Sequence, residues 1–516
     1  MSKISKLIQT PKFFFKDMIK KRSKKQQIKL DKNKISQENY LNTILDLKIY
    51  LAIEKIKYEG NAFWPFLRNE LMVFTDICFN KQIKGSLKFN PYQTQLCNIN
   101  KENYEKFQVL AEKENFYTVE SLEKEDLDFV FFTNLNSTDE VSIEGKRYNR
   151  LIDPLYDISI EMGKKSKKIK LVKAITPALD FLEEFHNQST MIIPDFTYEN
   201  NNFIQVDFPT KMIEKIKKSI PFIDIDENRL NSFVDWQIHM IDFYTKLLKK
   251  LNPKVVFFHP YYYYTPLIYA ANRMEILTVD IQHGIMHGFN EVFYDNYQES
   301  KNSSAMPKKI MVWSKKEGKH LNSKFGDNIS LVTGYPWLDY VNTLTKPKKE
   351  DYIKKINERL YMYDMKIVLT LQKDSFIPEW AYNLFEETKN NILWIIRKHP
   401  KGKSIHLSTK YNNVLIGEFY NNLTLNIHFE IVDFNFTPGS TTVLEADYYK
   451  CKSYIYSEEG YLNYKDYIEA GTVGEISSSI QSIYDIHLSS NLNNYNINYF
   501  EQVNIKQILE SLLKSS

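Results

Sequence analysis

The chain has 516 residues and a mass of 61.3 kDa, which is too long for one ordinary domain core and predicts two or more domains. Hydrophobic residues make up 43% and charged residues 26%, with only 15 glycines and 17 prolines, so the composition excludes a disordered, collagen-like or low-complexity protein. The three cysteines, Cys78, Cys97 and Cys451, are not closely spaced. They indicate a reducing compartment, and we expect neither a disulfide framework nor a bound metal.

Basic side chains are concentrated at the N-terminus. Residues 1–30 contain ten lysines and arginines against one acid, Asp17, although the formal net charge of the whole chain is only +4. Apolar residues recur there at three- and four-residue spacing, and Pro11 interrupts the pattern, which predicts two short basic amphipathic helices. Such a leader, over residues 1–35, can lie on an anionic membrane surface, remain a solvated tail or pack on the protein.

The remaining charge pattern bears on partners and localisation. The basic excess is confined to the leader, so we expect no nucleic-acid partner. No stretch approaches the roughly 18 apolar residues that a membrane span needs. We therefore expect a cytoplasmic protein, with the inner face of the cell membrane as a candidate contact of residues 1–30.

Strand-like and helical stretches alternate after residue 125, which predicts parallel sheets flanked by helices. The expected strands of the first half are residues 128–133, 169–172, 191–193, 255–258, 277–281, 310–313 and 329–333. Those of the second half are residues 366–371, 392–396, 427–432 and 453–457, with helices over 380–389, 442–450 and 505–513. This layout is typical of two doubly wound α/β domains with ligands at the carboxyl ends of their strands, in an interdomain cleft.

The domain boundaries follow from the same pattern. Residues 36–342 are expected to form an N-terminal Rossmann-like domain with a helical insertion, and residues 356–500 a C-terminal one. The charged segment 343–355, which contains Pro347, is a candidate linker, and residues 501–516 form a C-terminal helix.

A basic turn follows the apolar strand of residues 392–396. It consists of Arg397, Lys398, His399 and Pro400. Arginine and lysine donate to phosphate oxygens, histidine can add a hydrogen bond, and proline fixes the direction of the turn. The motif fits an anion site and equally fits a solvated basic turn.

A second turn, about forty residues later, carries hydroxyl groups at the start of a helix. Its residues are Ser440, Thr441 and Thr442, and Glu445 follows one turn into the helix. The free N–H groups of a helix start suit a phosphate, and Glu445 suits ribose hydroxyls. Thr442 and Glu445 also have capping-box spacing, which an ordinary capped helix explains without a ligand.

A histidine loop ends the strand of residues 277–281. It contains Gln282, His283 and Gly284, with His287 four residues beyond His283. Imidazole titrates near neutral pH and is the side chain most often used to take a proton from an attacking hydroxyl. His283 is therefore a candidate base, with a structural histidine as the alternative. Gln282, Gly284 and His287 can contact an acceptor or support the loop.

These motifs resemble those of bacterial GT-B glycosyltransferases of capsule and lipopolysaccharide biosynthesis, nearest to the CMP-sugar-using sialyltransferase and Kdo-transferase families. In those families a His-Pro pair contacts the donor phosphate, and His399-Pro400 occupies that place. A later hydroxyl pair does the same, and Ser440-Thr441 is similar to it. Their N-terminal domain carries an acidic-acidic-Gly motif whose second acid is the base; Gln282-His283-Gly284 stands in that context, with histidine replacing the carboxylate.

The resemblance covers roughly residues 250–475. It implies an α/β, GT-B-like fold in which the N-terminal domain binds a glycan or lipid-linked acceptor and the C-terminal domain a nucleotide-sugar. The implied reaction is inverting and metal-independent, with no cofactor. His283 would be the base, and Arg397, Lys398, His399, Pro400, Ser440, Thr441, Thr442 and Glu445 would bind the donor.

Three alternatives remain open. A CMP-polyol phosphotransferase of teichoic-acid type also pairs a His-Pro turn with hydroxyls. A two-domain sugar-nucleotide epimerase shares the layout. A non-catalytic polysaccharide-assembly protein would keep the fold without turnover.

Overall fold

The computed structural model describes the parts of the chain that form two compact units. It describes residues 57–58, 61–62, 66–71, 87–88, 116–134, 139–171, 190–192, 210–219, 223–286, 305–326, 328–372, 376–399, 402, 405, 407, 411–476 and 499–516. The first unit contains described residues up to Met286, then residues 305–337 and Glu501–Ser516, and the second contains those of Leu338–Phe500. The predicted leader, residues 1–35, lies outside the described residues, as do His287 and Pro400.

An eight-stranded, all-parallel sheet organises the first unit. Its strands are β4 (Phe116–Tyr117), β5 (Leu127–Asn134), β8 (Ser166–Leu171), β9 (Thr190–Ile192), β11 (Pro253–Phe258), β12 (Leu277–Ile281), β13 (Lys309–Val312) and β14 (Ser330–Val332). They lie in the order β14-β13-β12-β11-β5-β8-β9-β4. From β5 the chain adds β8 and β9 on one side and β11 to β14 on the other, so the strand order reverses between β5 and β11.

Short strands and helices complete the first unit. The strands are β1 (Lys57–Tyr58), β2 (Asn61–Ala62), β3 (Leu87–Lys88), β10 (Ile223–Asp224) and the antiparallel hairpin β6 (Glu140–Ile143) and β7 (Lys146–Asn149). The helices are residues 66–71, α1 (Asp153–Glu161), α2 (Thr210–Ser219), α3 (Glu227–Leu251), α4 (Thr265–Arg273) and α5 (Lys315–Phe325), with a 3-10 turn at Tyr261–Tyr263. Among the described helices none combines the length and the apolar character of a membrane span.

The second unit contains a six-stranded parallel sheet with the same winding. Its strands are β15 (Met365–Thr370), β16 (Ile392–Arg397), β17 (Val414–Leu415), β18 (Phe434–Thr437), β19 (Lys452–Ile455) and β20 (Gly474–Glu475), in the order β17-β16-β15-β18-β19-β20. Its helices are α6 (Trp337–Leu360), α7 (Glu379–Glu387), α8 (Glu418–Asn422), α9 (Leu425–Ile431), α10 (Thr442–Tyr448) and α11 (Glu458–Glu469). The strand order reverses between β15 and β18.

Continuous apolar runs are typical of interior strands, and β5 and β16 both have strand neighbours on either side. Phe129, Val130, Phe131 and Phe132 of β5 are all fully buried, as is the run Ile392–Ile396 of β16. A strand covered by helices on both faces needs such a run, because neither face meets water. The two doubly wound sheets confirm the predicted α/β, GT-B-like fold class.

The last helix, α12 (Ile505–Ser515), belongs to the first unit although it ends the chain. It packs on α1 and β11, and Lys506 pairs with Glu161 at 3.3 Å. Just before it, the backbone N–H of Glu501 donates to the oxygen of Trp313 at 3.0 Å. The helix predicted from the apolar pattern of residues 505–513 is therefore confirmed.

One predicted strand differs from the structure, and the candidate linker is helical. The strand predicted over residues 427–432 is wrong: this segment forms helix α9, and the strand is β18, which begins at Phe434. A short apolar run does not distinguish a strand from a buried helical turn. The candidate linker, residues 343–355, lies inside α6, where lysine and glutamate favour a helix and Pro347 is accommodated.

Candidate functional site

His283 lies where β12 ends, one strand away from the reversal point of the first sheet. Ligands of doubly wound sheets bind outside the carboxyl ends of the strands near such a point. The side chain is half-buried, and its Nε2 lies 3.5 Å from the hydroxyl of Tyr262. Its other nitrogen, Nδ1, is buried and has no hydrogen-bond partner among the described residues. The two ring nitrogens therefore differ: Nε2 lies near the Tyr262 hydroxyl, and Nδ1 is buried without a hydrogen-bond partner among the described residues.

Gln282 fixes the loop that carries His283. The fully buried side chain accepts a hydrogen bond from the Trp313 backbone N–H at 2.7 Å and donates one to the Gly284 oxygen at 2.9 Å. The first bond joins the end of β12 to the end of β13, and the second closes the loop around His283. The geometry gives Gln282 a supporting role, the second of the two roles considered from the sequence.

The ring of His283 is neutral at pH 7. Burial lowers its pKa to about 4, although the Asp139 carboxylate acts in the opposite direction; His259 adds to the lowering. A neutral imidazole has a lone pair that can accept a proton. The residue is in the protonation state that a base requires.

Asp139 and His259 occupy the reversal point itself. His259 directly follows β11, and Asp139 directly precedes the hairpin strand β6, in the connection that follows β5. Asp139 Oδ2 lies 3.5 Å from Nδ1 of the buried His259, and Asp139 Oδ1 lies 3.4 Å from a guanidinium nitrogen of Arg150. Burial lowers the pKa of His259, so a second neutral imidazole lies beside the carboxylate.

The sequence motifs did not include Asp139 or Arg150, and the tyrosines at 261–264 beside His259 favoured packing over a ligand contact. Asp139, Arg150, His259 and Tyr262 belong to different loops, up to 123 positions apart in the chain, and come together only because β5 and β11 are neighbours. The available signal was local: His259 and the tyrosines at 261–264 follow a strong buried strand, where functional loops of α/β sheets are found.

In the second unit the hydroxyl turn lies at the reversal point. Ser440 follows β18, which pairs with β15, and its backbone N–H donates to Thr437 Oγ1 at 3.3 Å. Ser440 Oγ accepts the N–H of Thr442 at 3.3 Å, and its backbone oxygen accepts the hydroxyl of Tyr464 at 2.9 Å. Helix α11 thus supports this turn.

The start of α10 differs from the predicted capping box. Thr442 is the first helical residue, Thr441 precedes it in a helical conformation, and neither forms a side-chain cap. Thr442 Oγ1 instead lies 3.4 Å from Thr370 Oγ1 at the end of β15. Glu445 is buried on the first turn of this short helix. The capping box fails because Ser440, two positions earlier, already accepts the Thr442 N–H.

The basic turn lies on the other side of β15, at the end of β16. Arg397 donates through Nη1 to the backbone oxygens of Tyr420, Asn421 and Leu423, so it holds the end of α8 on the strand. This contact makes Arg397 a supporting residue of the turn.

Lys398 and His399 continue beyond this anchor. Both side chains are half-buried, and the Lys398 backbone N–H donates to the Asn421 side chain at 3.0 Å. The His399 oxygen accepts the N–H of Gly402 at 2.7 Å, which closes the turn. Strand order therefore brings Lys398 and His399 to the same edge as Ser440 and Thr441, on either side of the end of β15.

No group of three or more histidine, cysteine or acidic side chains in the described part of the chain is arranged to hold an ion.

Comparison with known proteins gives likeness of fold only. No family model and no curated protein matches the chain. UDP-GlcNAc 2-epimerase from Neisseria meningitidis, solved with UDP-GlcNAc, is 14% identical with a TM-score of 0.47, over 76% of this chain and 100% of that one. The glycotransferase of kitacinnamycin is 9% identical with a TM-score of 0.44, over 75% and 94%.

A variant of the wall teichoic acid polymerase TagF is 12% identical with a TM-score of 0.43, over 76% of this chain and 90% of that one. All three TM-scores are below 0.5. The architecture of this chain therefore rests on its own two sheets and their strand order.

Proposed function

We propose that the protein is an inverting, metal-independent glycosyltransferase. It transfers a sugar from a nucleotide-sugar to a glycan or lipid-linked acceptor in capsule or lipopolysaccharide synthesis. The donor that we propose first is a CMP-activated sugar. The first unit binds the acceptor and the second the donor. One observation supports the proposal: each sheet has candidate side chains at the carboxyl ends of strands at or next to the point where its order reverses. We assign the base to His283 in the first unit and the phosphate site to the two turns in the second.

The proposed donor site consists of side chains that can donate hydrogen bonds to an anion. Lys398 and His399 donate from one side of β15, and the hydroxyls of Ser440 and Thr441 from the other. Such donors suit the phosphate of a nucleotide, on which negative charge grows as the glycosidic bond breaks. Glu445 is a candidate hydrogen-bond partner of the ribose hydroxyls. Thr442 supports the hydroxyl turn, and Arg397 supports the basic turn.

The acceptor side needs a proton acceptor. His283 Nε2 takes the proton of the acceptor hydroxyl while its oxygen forms a bond to the anomeric carbon. The bond between that carbon and the phosphate oxygen breaks, and both electrons leave with the nucleotide. The imidazolium then loses its proton to water. A single displacement of this kind inverts the anomeric configuration.

A donor screen in EDTA tests the proposal. The purified protein is incubated with CMP-, UDP- and GDP-sugars, and both thermal stabilisation and nucleotide release are followed. We expect one nucleotide class to raise the melting temperature, with EDTA having no effect. Absence of any response to all donors would contradict the proposal, and a response to CMP-polyols alone would favour the phosphotransferase.

Single-residue variants test donor binding and proton transfer separately. His399→Gln should weaken nucleotide stabilisation, whereas His283→Gln should keep it and lose transfer by about 10²–10⁴-fold. His320→Gln, on α5, is the matched control and should change neither. Full transfer activity in His283→Gln and in His399→Gln would contradict the assigned roles.

We also propose that residues 1–30 hold the protein at an anionic membrane surface, because ten basic side chains lie among apolar ones there. Deletion of residues 1–30 should weaken binding to phosphatidylglycerol vesicles without altering donor stabilisation. Unchanged vesicle binding would remove this part of the proposal.

A further inference from the structure

The four consecutive tyrosines at 261–264 divide into a buried pair and a half-buried pair. The first three form the 3-10 turn, in which residues three positions apart lie on the same face. Tyr261 and Tyr264 have this spacing, and each is only 1% exposed. Tyr262 and Tyr263, which lie between them, are half-buried. Core packing accounts for the buried pair and leaves the half-buried pair without an assigned role.

The buried pair anchors the turn in the core. The hydroxyl of Tyr261 accepts a hydrogen bond from Nη2 of the buried Arg68 at 3.0 Å. The ring of Tyr264 packs against Phe132 and Phe258, with ring centroids 6.5 and 5.8 Å apart. Because the residues on both sides are fixed, the backbone that carries the half-buried pair is held in place before a ligand binds, which lowers the entropic cost of binding.

The half-buried pair lies beside the candidate base. Tyr262 Oη is 3.5 Å from Nε2 of His283, and the two rings meet edge to face with centroids 6.2 Å apart. The ring of Tyr263 lies next to that of Tyr262, at a centroid distance of 4.8 Å and an angle of 58°. Two aromatic rings and one hydroxyl therefore adjoin the nitrogen to which we assign the proton transfer, at the carboxyl ends of the neighbouring strands β11 and β12.

We propose that Tyr262 and Tyr263 form the acceptor subsite and that its ligand is a pyranose ring. The C–H face of the sugar packs against the aromatic rings, and the Tyr262 hydroxyl supplies the polar contact that orients it, a combination typical of small-ligand sites. Nε2 of His283 takes the proton of one sugar hydroxyl, and Tyr262 Oη bonds the hydroxyl next to it. The separation of 3.5 Å lets the two groups meet adjacent hydroxyls of one ring. The inference rests on the proposed function, in which His283 is the base.

This surface suits a ring better than an open-chain polyol. A pyranose holds several C–H groups on one rigid face, so it covers an aromatic ring without losing conformational freedom. A polyol presents no such face and must order several rotatable bonds to make the same contact. The tyrosine pair therefore favours a glycan acceptor over the polyol phosphate of the alternative function.

Saturation-transfer NMR tests the subsite without a donor. The full chain is mixed with methyl β-glucoside, methyl β-galactoside or methyl N-acetyl-β-glucosaminide, with ribitol as the open-chain comparison, while aromatic protons of the protein are irradiated. We expect the ring C–H protons of at least one pyranoside to be saturated more strongly than those of ribitol. Tyr262→Leu should remove this excess, and Tyr262→Phe should keep most of it. Tyr117→Leu, which replaces a half-buried tyrosine on the edge strand β4 of the same sheet, is the matched control and should leave the excess unchanged.

Kinetics separate the ring of Tyr262 from its hydroxyl. The most strongly saturated pyranoside serves as the acceptor, and nucleotide release is followed. Tyr262→Leu should raise the acceptor KM about tenfold, because the aromatic contact is lost. Tyr262→Phe should lower kcat/KM about five- to tenfold, the equivalent of one hydrogen bond. A deoxy pyranoside that lacks the hydroxyl next to the reacting one should lose the same factor with the wild type and nothing further with Tyr262→Phe, since the two changes remove one shared bond.

The outcomes separate this proposal from the proposed function. Equal saturation of ribitol and all three pyranosides would overturn the subsite, as would an unchanged excess in folded Tyr262→Leu. If Tyr262→Leu does not fold, Tyr263→Leu takes its place, and an unchanged excess in that variant would overturn the subsite. Absence of nucleotide release by the wild type with every donor would contradict the proposed function, whereas the saturation experiment would still decide whether the tyrosine pair binds a sugar ring.

Discussion

The side-chain oxygen of Gln282 accepts the backbone N–H of Trp313 at 2.7 Å, which joins the ends of β12 and β13 beneath the His283 loop. Both groups are buried, so the bond has no substitute in water. Gln282 also donates to the Gly284 oxygen. One side chain therefore sets the position of the residue to which we assign the proton transfer.

Replacing Gln282 with methionine should destabilise the first unit. Met keeps the volume but leaves the Trp313 N–H and the Gly284 oxygen without partners, at a cost of about 2–4 kcal/mol in the free energy of unfolding. Urea denaturation of Gln282→Met measures this loss. Gln507→Met, on the exposed face of α12, is the control and should stay within about 0.5 kcal/mol of the wild type. Equal stability of the two variants would contradict the role.

Gly334 allows the C-terminal segment to return to the first unit. Its φ is +63°, and a side-chain carbon there would overlap the backbone oxygen of Glu501. Gly163 has a similar φ of +69° with open space around it. Gly334→Ala should therefore cost about 1–3 kcal/mol more in unfolding free energy than Gly163→Ala, because both carry the backbone strain and only one the overlap.

Thermal denaturation of Gly334→Ala and Gly163→Ala measures this difference. Limited proteolysis adds a second readout, because release of α12 should expose cleavage sites near residue 501 in Gly334→Ala alone. Equal melting temperatures with equal cleavage would show that the Glu501 backbone is not held against Gly334.

Lys170 should make stability depend on alkaline pH. It is buried on β8, where burial lowers its pKa to about 8 although Glu140 lies 2.9 Å away. Since the ordinary lysine pKa is about 10.4, the unfolded chain binds more protons than the folded one between about pH 8 and 10.4. The free energy of unfolding should rise across this window, by up to about 3 kcal/mol.

Urea denaturation at a series of pH values measures the effect. Lys170→Met should remove this rise, while Arg147 remains paired with Glu140 at 3.7 Å. Lys254→Met, which removes an exposed lysine of β11, should keep it. A rise of the same size in Lys170→Met would assign the pH dependence to other groups.

Tyr464 should affect donor binding through Ser440. Its hydroxyl donates to the Ser440 backbone oxygen at 2.9 Å from a fully buried position on α11. Tyr464→Phe should loosen the hydroxyl turn and weaken nucleotide affinity about five- to tenfold, the equivalent of one hydrogen bond. Titration calorimetry with the donor nucleotide measures it, and Tyr461→Phe on the same helix is the control. An unchanged Kd would show that this turn is not part of the donor site.

Much of the fold could be predicted from the sequence because buried parallel strands are apolar on both faces. The runs at 128–133 and 392–396 coincide with β5 and β16 almost to the residue. Prediction failed at residues 427–432, where the same apolar content forms α9. The charged stretch 343–355, the candidate linker, forms part of α6. Apolar content indicates burial, but in a short segment it does not indicate the type of element.

For the candidate site, the sequence by itself determined which residue types follow the strands: His283 after β12, Lys398 and His399 after β16, and Ser440 after β18. Only the tertiary structure decided which groups they and their neighbours contact. It turned Arg397 towards three backbone oxygens, used Ser440 instead of a capping box, and brought Asp139 to within 3.5 Å of His259. The reason is that strand order is set by packing across the whole sheet, so partners distant in the chain carry no local signal of each other.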